Sequence, residues 1–162
     1  MVVPSFGVSR TFETTLERLW AAFTDFRELS EWALPPGSRL LRADMDLSLG
    51  GAFQFGFTLP EGKSLWGAWA FDRIEAPSRL TLVHGMAGGD GQAANAVFPG
   101  WPARLRVDLR IAVQGEGTTV TVNLVPLDAL DSEAQAFRAS FAALSAGWER
   151  ALNRLDRHLT RP

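Results

Sequence analysis

Residues 132–159 read SEAQAFRASFAALSAGWERALNRLDRHL. Phe137, Phe141, Leu144, Trp148, Leu152, Leu155 and Leu159 recur at steps of three and four, the spacing of one apolar stripe on an amphipathic helix. The stretch predicts a single continuous helix roughly 40 Å long. Ser132 and Gln135 form a capping box at its start. Asp131 and Glu133 sit at the positive end of its dipole, and Arg150, Arg154 and Arg157 sit near the negative end. Gly147 interrupts the stripe at a cost of about 1 kcal/mol relative to alanine. Either another element approaches closely there or room is left for a ligand, and close packing is the simpler of the two. A long helix with so bulky a face needs a broad, curved surface to cover. A twisted sheet is its natural partner, and a gap between the two is where function is expected.

The chain before this helix supplies such a sheet. A strand is predicted over 6–12. Thr14 then opens a helix, with Glu17 three residues on and an apolar face of Leu16, Leu19, Trp20 and Phe23. Asp25 and Glu28 repeat the capping signal before a second short helix that ends near Trp32, stopped by Leu34-Pro35-Pro36-Gly37. Period-two alternation follows. Leu41, Ala43, Met45 and Leu47 alternate with Arg42, Asp44 and Asp46, which predicts a half-buried strand. Phe53, Phe55, Phe57 and Leu59 share a face, and Pro60-Glu61-Gly62-Lys63 is a hairpin turn. Strands over 65–75, with Trp66, Trp69 and Phe71, and over 79–84 are joined at Ala76-Pro77-Ser78. Leu105, Val107, Leu109, Ile111 and Val113 alternate with Arg104, Arg106, Asp108 and Arg110, and Gly115-Glu116-Gly117 leads into a strand over 118–125. Residues 86–102 are rich in Gly and Ala, have no period and predict a long loop, the kind that serves as a lid or binding loop.

Short turns make neighbouring strands antiparallel. The expectation is an α+β chain, one domain over 1–162. A curved antiparallel sheet of six to seven strands wraps a long C-terminal helix, with two short helices after strand 1. Composition narrows function. The chain has 162 residues, 46% of them hydrophobic, and a net charge of -2, which argues against nucleic acid and anionic membrane surfaces as partners. It has no cysteine, hence no disulfide and no thiolate metal site. The opening MVVPSFGVSR lacks a signal-peptide pattern and no apolar run is long enough to insert in a membrane, so a cytoplasmic protein is expected. Six Trp and eleven Phe without a Tyr make an aromatic surface with no phenolic hydroxyl to orient a polar ligand.

Several motifs then fall in a known order. Ser9-Arg10-Thr11-Phe12 precedes Leu19-Trp20-Ala21-Ala22-Phe23-Thr24-Asp25. Leu29-Ser30-Glu31-Trp32, Pro36-Gly37, Met45-Asp46-Leu47 and Gly50-Gly51-Ala52-Phe53 follow, then Ile74-Glu75-Ala76-Pro77-Ser78-Arg79-Leu80 and Gly147-Trp148 with Leu152 and Leu155. Over nearly its whole length the chain resembles the START-like, or SRPBCC, superfamily. Within that it resembles the activator of Hsp90 ATPase homologues (AHSA). The resemblance implies a helix-grip (Bet v-like) fold, with a cavity between sheet and C-terminal helix. Two features depart from the family pattern. A second tryptophan often follows the one at Trp32, where this chain has Ala33, and the segment around Gln92 to Trp101 is longer and more apolar. Both fall near the expected cavity mouth.

The candidate ligand-binding set is Trp32, Phe53, Phe55, Phe57, Trp69, Phe71, His84, Trp101, Phe137, Phe141 and Trp148. For any one ring, ordinary packed core is the simpler reading; the resemblance favours an open cavity for the set. His84 alternates with Leu80 and Leu82, so it points inward if they do, as a donor to a ligand, a general acid or base, or a rim histidine bonded to backbone or water. His158, near the chain end, reads as solvent-facing. Asp44, Asp46 and Asp72 read as a solvated face, and so does the row Arg104, Arg106, Asp108 and Arg110. Gly88-Gly89-Asp90-Gly91 lacks the Lys-Ser/Thr of a phosphate loop, and no His, Asp or Glu cluster has metal-ligand spacing. Trp101 is expected to pin the loop or close the cavity. The leading expectation is a protein that binds a small hydrophobic molecule, without cofactor, metal or catalytic residues assigned. An enzyme using His84 and a chaperone-type interaction module are the alternatives, and a homodimer is compatible with all three.

Overall fold

Alternating sequence and short turns dictate most of the architecture. The computed structural model describes residues 2–86 and 100–161. The elements run β1 (Phe6–Phe12), α1 (Leu16–Thr24), α2 (Phe26–Trp32), β2 (Arg39–Met45), β3 (Ala52–Thr58), β4 (Ser64–Glu75), β5 (Arg79–Met86), β6 (Arg104–Gln114), β7 (Gly117–Pro126), α3 (Asp131–Ala139) and α4 (Phe141–Leu159). The strands form one antiparallel sheet in the order β1-β7-β6-β5-β4-β3-β2. From β2 to β7 the chain is a meander, while β1 pairs with β7 at the opposite edge from β2. The α1–α2 pair therefore carries the chain from one edge of the sheet to the other. Hairpins at Gly62 (φ 96°) and Gly115 (φ 62°) use a backbone region that glycine enters without steric cost.

The expected α+β helix-grip architecture is present. The core runs from Phe6 and Phe12 of β1 through Leu19, Leu29 and Trp32 of the short helices to Leu80, Leu109 and Val122 of the sheet, and on to Leu152 and Leu155 of α4. The outer face carries the charges. Arg106 pairs with Asp72, Arg79 and Arg110 both reach Asp108, and Arg42 reaches Asp44 at 2.6 Å. These carboxylates have ion-pair partners in the sheet, as a solvated cross-strand face requires.

Five local expectations are corrected. The closing helix is two helices rather than one, broken at Ser140 (φ -89°, ψ 0°). The Ser140 hydroxyl donates to the Ala136 carbonyl at 2.8 Å and accepts from Trp101 Nε1 at 3.0 Å, and back-bonding of this kind bends a helix. The caps also shift. Thr15, not Thr14, accepts from the Arg18 amide, and the Thr14 carbonyl accepts from the Thr118 hydroxyl. Glu133 accepts from the Leu130 amide, so α3 starts ahead of Ser132. Asp25 caps α2 as expected, but Glu28 turns away to pair with Arg18 and His158. Strand β2 begins at Arg39, bulges between Leu40 and Arg42, and leaves Leu41 42% exposed and Leu47 outside the strand, because it is an edge strand.

His158 is the fourth correction. Its side chain is only 12% exposed, with Nε2 at 2.9 Å from Glu28 Oε1, because the end of α4 lies against α2. The fifth is Gly147. A β-carbon there would meet nothing within 4 Å among the described residues, so no element packs closely against it. The cost of that glycine is then removable. Gly147→Ala is expected to raise stability by about 1 kcal/mol, measured as a higher midpoint of urea unfolding. A lower midpoint would mean that the space beside Gly147 is filled in solution.

Candidate ligand cavity

Strand register places the site's central row. Phe53 of β3 is opposite Trp69 of β4, and Trp69 is opposite His84 of β5, so these three share one face of the sheet. Trp69 lies edge-on to Phe53, with ring centroids 5.1 Å apart, and to Phe55 at 5.9 Å. Its Nε1–H donates to His84 Nδ1 at 3.0 Å. Phe55 stacks on the imidazole at 6.3 Å. In the neighbouring row Phe55 is opposite Gly67, and a β-carbon on Gly67 would lie 2.5 Å from Phe55 Cζ. Only a residue without a side chain lets that ring lie down across the sheet. Trp66 lies over Gly56 in the same way in the adjacent pair.

These rings form one wall of a cavity of about 340 Å³. The sheet supplies Phe53, Phe55, Phe57, Trp69 and His84, together with Leu80, Leu82, Leu105, Val107, Leu109, Val122 and Leu124. The opposite wall is Phe23 at the end of α1, Phe26, Leu29 and Ser30 of α2, and Ala33, Leu34 and Leu40 beyond it. Trp148 is the contribution of α4. Apart from the two indoles, Ser30 and His84 are the only polar side chains among the described lining residues. The Ser30 hydroxyl is already used, donating to the Arg27 carbonyl at 2.8 Å.

His84 is therefore the cavity's polar handle, and its state is constrained. Burial holds its pKa below the ordinary histidine value, so it is neutral at neutral pH. Because Nδ1 accepts from Trp69, the ring's single proton sits on Nε2. Among the described residues nothing accepts from Nε2. His84 thus presents a donor rather than a proton acceptor.

The remaining candidates go elsewhere. Trp32 is core: its ring packs edge-on against Phe23 at 4.9 Å and its Nε1–H donates to the Ala22 carbonyl at 2.9 Å. Phe71 is buried opposite Leu82, beside Trp69. Phe137 and Phe141 form a separate cluster with Phe6, and Trp101 joins it at 5.6 Å from Phe137. Trp101 is anchored by its bond to Ser140 at the helix break, so it pins the chain after the long loop instead of lining the cavity. The loop's residues 87–99, including the segment Gly88-Gly89-Asp90-Gly91, lie outside the described residues. The α1–α2 wall was not among the sequence candidates. Its signal was the apolar spacing of Phe23, Phe26 and Leu29, which marks a face without saying what it faces. Among the described residues no group of His, Asp or Glu can hold a metal ion, and no helix is long and apolar enough to cross a membrane.

Comparison with known proteins places the fold. The sequence model of one family, described as Activator of Hsp90 ATPase homolog 1-like protein, matches residues 13–160. The fold is similar to that of protein Ms6760 from Mycobacterium smegmatis, with a TM-score of 0.78, 22% identity, and coverage of 98% of this chain and 91% of that one. It is similar to a protein from Arthrobacter aurescens at a TM-score of 0.77 and 23% identity, covering 98% and 87%. It is also similar to the AHSA1 protein from Silicibacter pomeroyi, at 0.71 and 17%, covering 96% and 97%. No curated protein matches the chain in sequence.

The burial of His84 has a measurable sign. The unfolded chain takes up a proton at this residue near its ordinary pKa of about 6.5, whereas the fold resists it. Stability is therefore expected to fall as pH drops below about 6.5 and to level off below the folded pKa. Thermal melts of wild type and His84→Gln over this range should differ in slope, with the variant the flatter. Parallel curves would show that His84 is not held neutral.

Proposed function

The chain belongs to the family of Activator of Hsp90 ATPase homolog 1-like proteins, and from that premise we propose that it binds a small hydrophobic molecule in the cavity between its sheet and its helices. The observation that carries this reading is the wall itself: about 340 Å³ bounded almost wholly by apolar side chains, with one fixed polar donor at His84. Ligand sites are typically apolar with a few placed polar groups. His84 is the one titratable side chain among the described lining residues, and general acid–base chemistry needs a positioned partner. Binding is therefore the reading we take over catalysis, with the protein acting on a ligand in the cytoplasm.

The test uses the departure from the family pattern at Ala33. That residue lines the cavity, and Ala33→Trp puts an indole on its wall at a position where family members often carry one. Native mass spectrometry of the purified protein after exposure to an extract of its source cells should show a discrete added mass. The mass should be lost on denaturation and reduced several-fold in Ala33→Trp. A clean apo mass for both proteins would reject the binding reading and favour an interaction module. An adduct equally retained by the variant would place the ligand outside this cavity.

A further inference from the structure

Ser30 and Leu34 line a second cleft as well as the apolar cavity, so the two spaces share a boundary. The second cleft, also about 340 Å³, lies between the end of α2, the Pro35–Ser38 segment and the end of α4. Its chemistry is opposite. Arg154, Arg157 and Arg161 line it at helical spacing, against the single carboxylate of Glu31. Arg161 reaches Glu31 at 3.4 Å. Arg154 donates through Nε to the Trp32 carbonyl at 2.9 Å, which orients its guanidinium without neutralising it. Among the described residues neither Arg154 nor Arg157 has a carboxylate partner, whereas Arg79, Arg104, Arg106 and Arg110 of the sheet all do.

Two further observations mark the cleft as built for an anion. Burial, and then the charges of Arg157 and Arg150, press the Arg154 pKa below its ordinary value, so like charges are crowded there without relief. The Ser38 hydroxyl on the same cleft is buried and has no hydrogen-bond partner among the described residues. A helix C-terminus favours cations, which accounts for basic residues there but not for an unused donor beside them. The chain as a whole carries a net charge of -2, so this concentration of positive charge runs against its composition.

We infer that the ligand is an anionic amphiphile, its apolar body in the ring-lined cavity and its carboxylate or phosphate head held by Arg154, Arg157 and Arg161. This rests on the binding reading above. Guanidinium groups suit such heads because their planar fork matches two oxygens at once.

Isothermal titration calorimetry with dodecanoate, dodecanol and inorganic phosphate, each below any aggregation threshold, tests it. Dodecanoate should bind one to one and at least about tenfold tighter than dodecanol, the margin of a charge-assisted hydrogen bond. Inorganic phosphate, a head without a body, should bind far more weakly. Arg157→Gln/Arg161→Gln, which spares the bond from Arg154 to Trp32, should bring dodecanoate down to the dodecanol level and leave dodecanol unchanged. Ala33→Trp should weaken both chains. Equal affinities for dodecanoate and dodecanol in the wild type would overturn the anionic head and leave the cavity reading standing. So would a preference that survives the double variant. Phosphate binding as tight as dodecanoate would mean a separate anion site uncoupled from the cavity. Failure of both chain compounds to bind would reject the cavity reading along with this inference.

Discussion

The indole of Trp32 donates to the Ala22 carbonyl of α1, its own carbonyl accepts from Arg154 of α4, and its ring packs edge-on against Phe23. Three helices are joined through one buried residue. Leaving any of these buried polar groups without a partner would cost about 1–3 kcal/mol, so the arrangement is strongly preferred over looser ones. Its consequence is spacing. With α1, α2 and α4 tied to one another, Phe23, Phe26 and Leu29 stand across a cavity from Phe53, Phe55 and Trp69. A protein interior left free to relax closes such gaps. Here the helices are fixed to each other at their rim, where Glu28 also holds Arg18 and His158, and the gap persists.

Much of this was legible in the sequence, for a physical reason that also limits it. Period-two alternation reports which residues share a face of a strand. Phe53, Phe55, Phe57, Trp69 and His84 were therefore readable as one inward set. Period 3.6 likewise reported the apolar stripe of the closing helices. Neither period reports what a face meets. Phe137 and Phe141 satisfy the stripe but pack into a cluster with Phe6 and Trp101, because the chain breaks at Ser140. At that break Ser140 also accepts from Trp101, thirty-nine positions earlier, a partner that no local window contains. Trp32 was readable as a conspicuous aromatic residue, yet its use as a strut is set by partners on α1 and α4. The caps shifted by a residue or two within their own turns: Thr15 rather than its neighbour Thr14 accepts from the Arg18 amide, and Glu133 accepts from the Leu130 amide.

Charge divides the molecule along the same lines. On the outer sheet face burial opposes ionisation of Asp72 and Asp108, but hydrogen bonds from Thr81 and Arg106, and from Arg79 and Arg110, hold both carboxyls below their ordinary values. These pairs satisfy one another and leave little field for a ligand. At the end of α4 Arg161 reaches Glu31, but among the described residues Arg154 and Arg157 have no carboxylate partner. The unbalanced charge and the apolar cavity meet at Ser30 and Leu34, residues of the helical wall and not of the sheet. The helices therefore set both the width of the cavity and the charge at its edge.

On the binding reading proposed above, His84 bears on what can occupy that room. Its imidazole is fixed as a donor by Trp69, and the sheet register that sets Trp69 opposite it leaves the tautomer no freedom. A hydrocarbon body gives Nε2–H no acceptor. A carbonyl, ether or hydroxyl oxygen at that depth would supply one. Selectivity of this kind comes from the cost of an unpaired buried group, which exceeds the gain from a good contact. Apolar walls alone distinguish molecules that differ by a methylene only weakly, whereas one unmet donor discriminates strongly. On the binding reading proposed above, the aromatic wall suits an apolar body, and an oxygen placed near His84 Nε2 would add to its affinity.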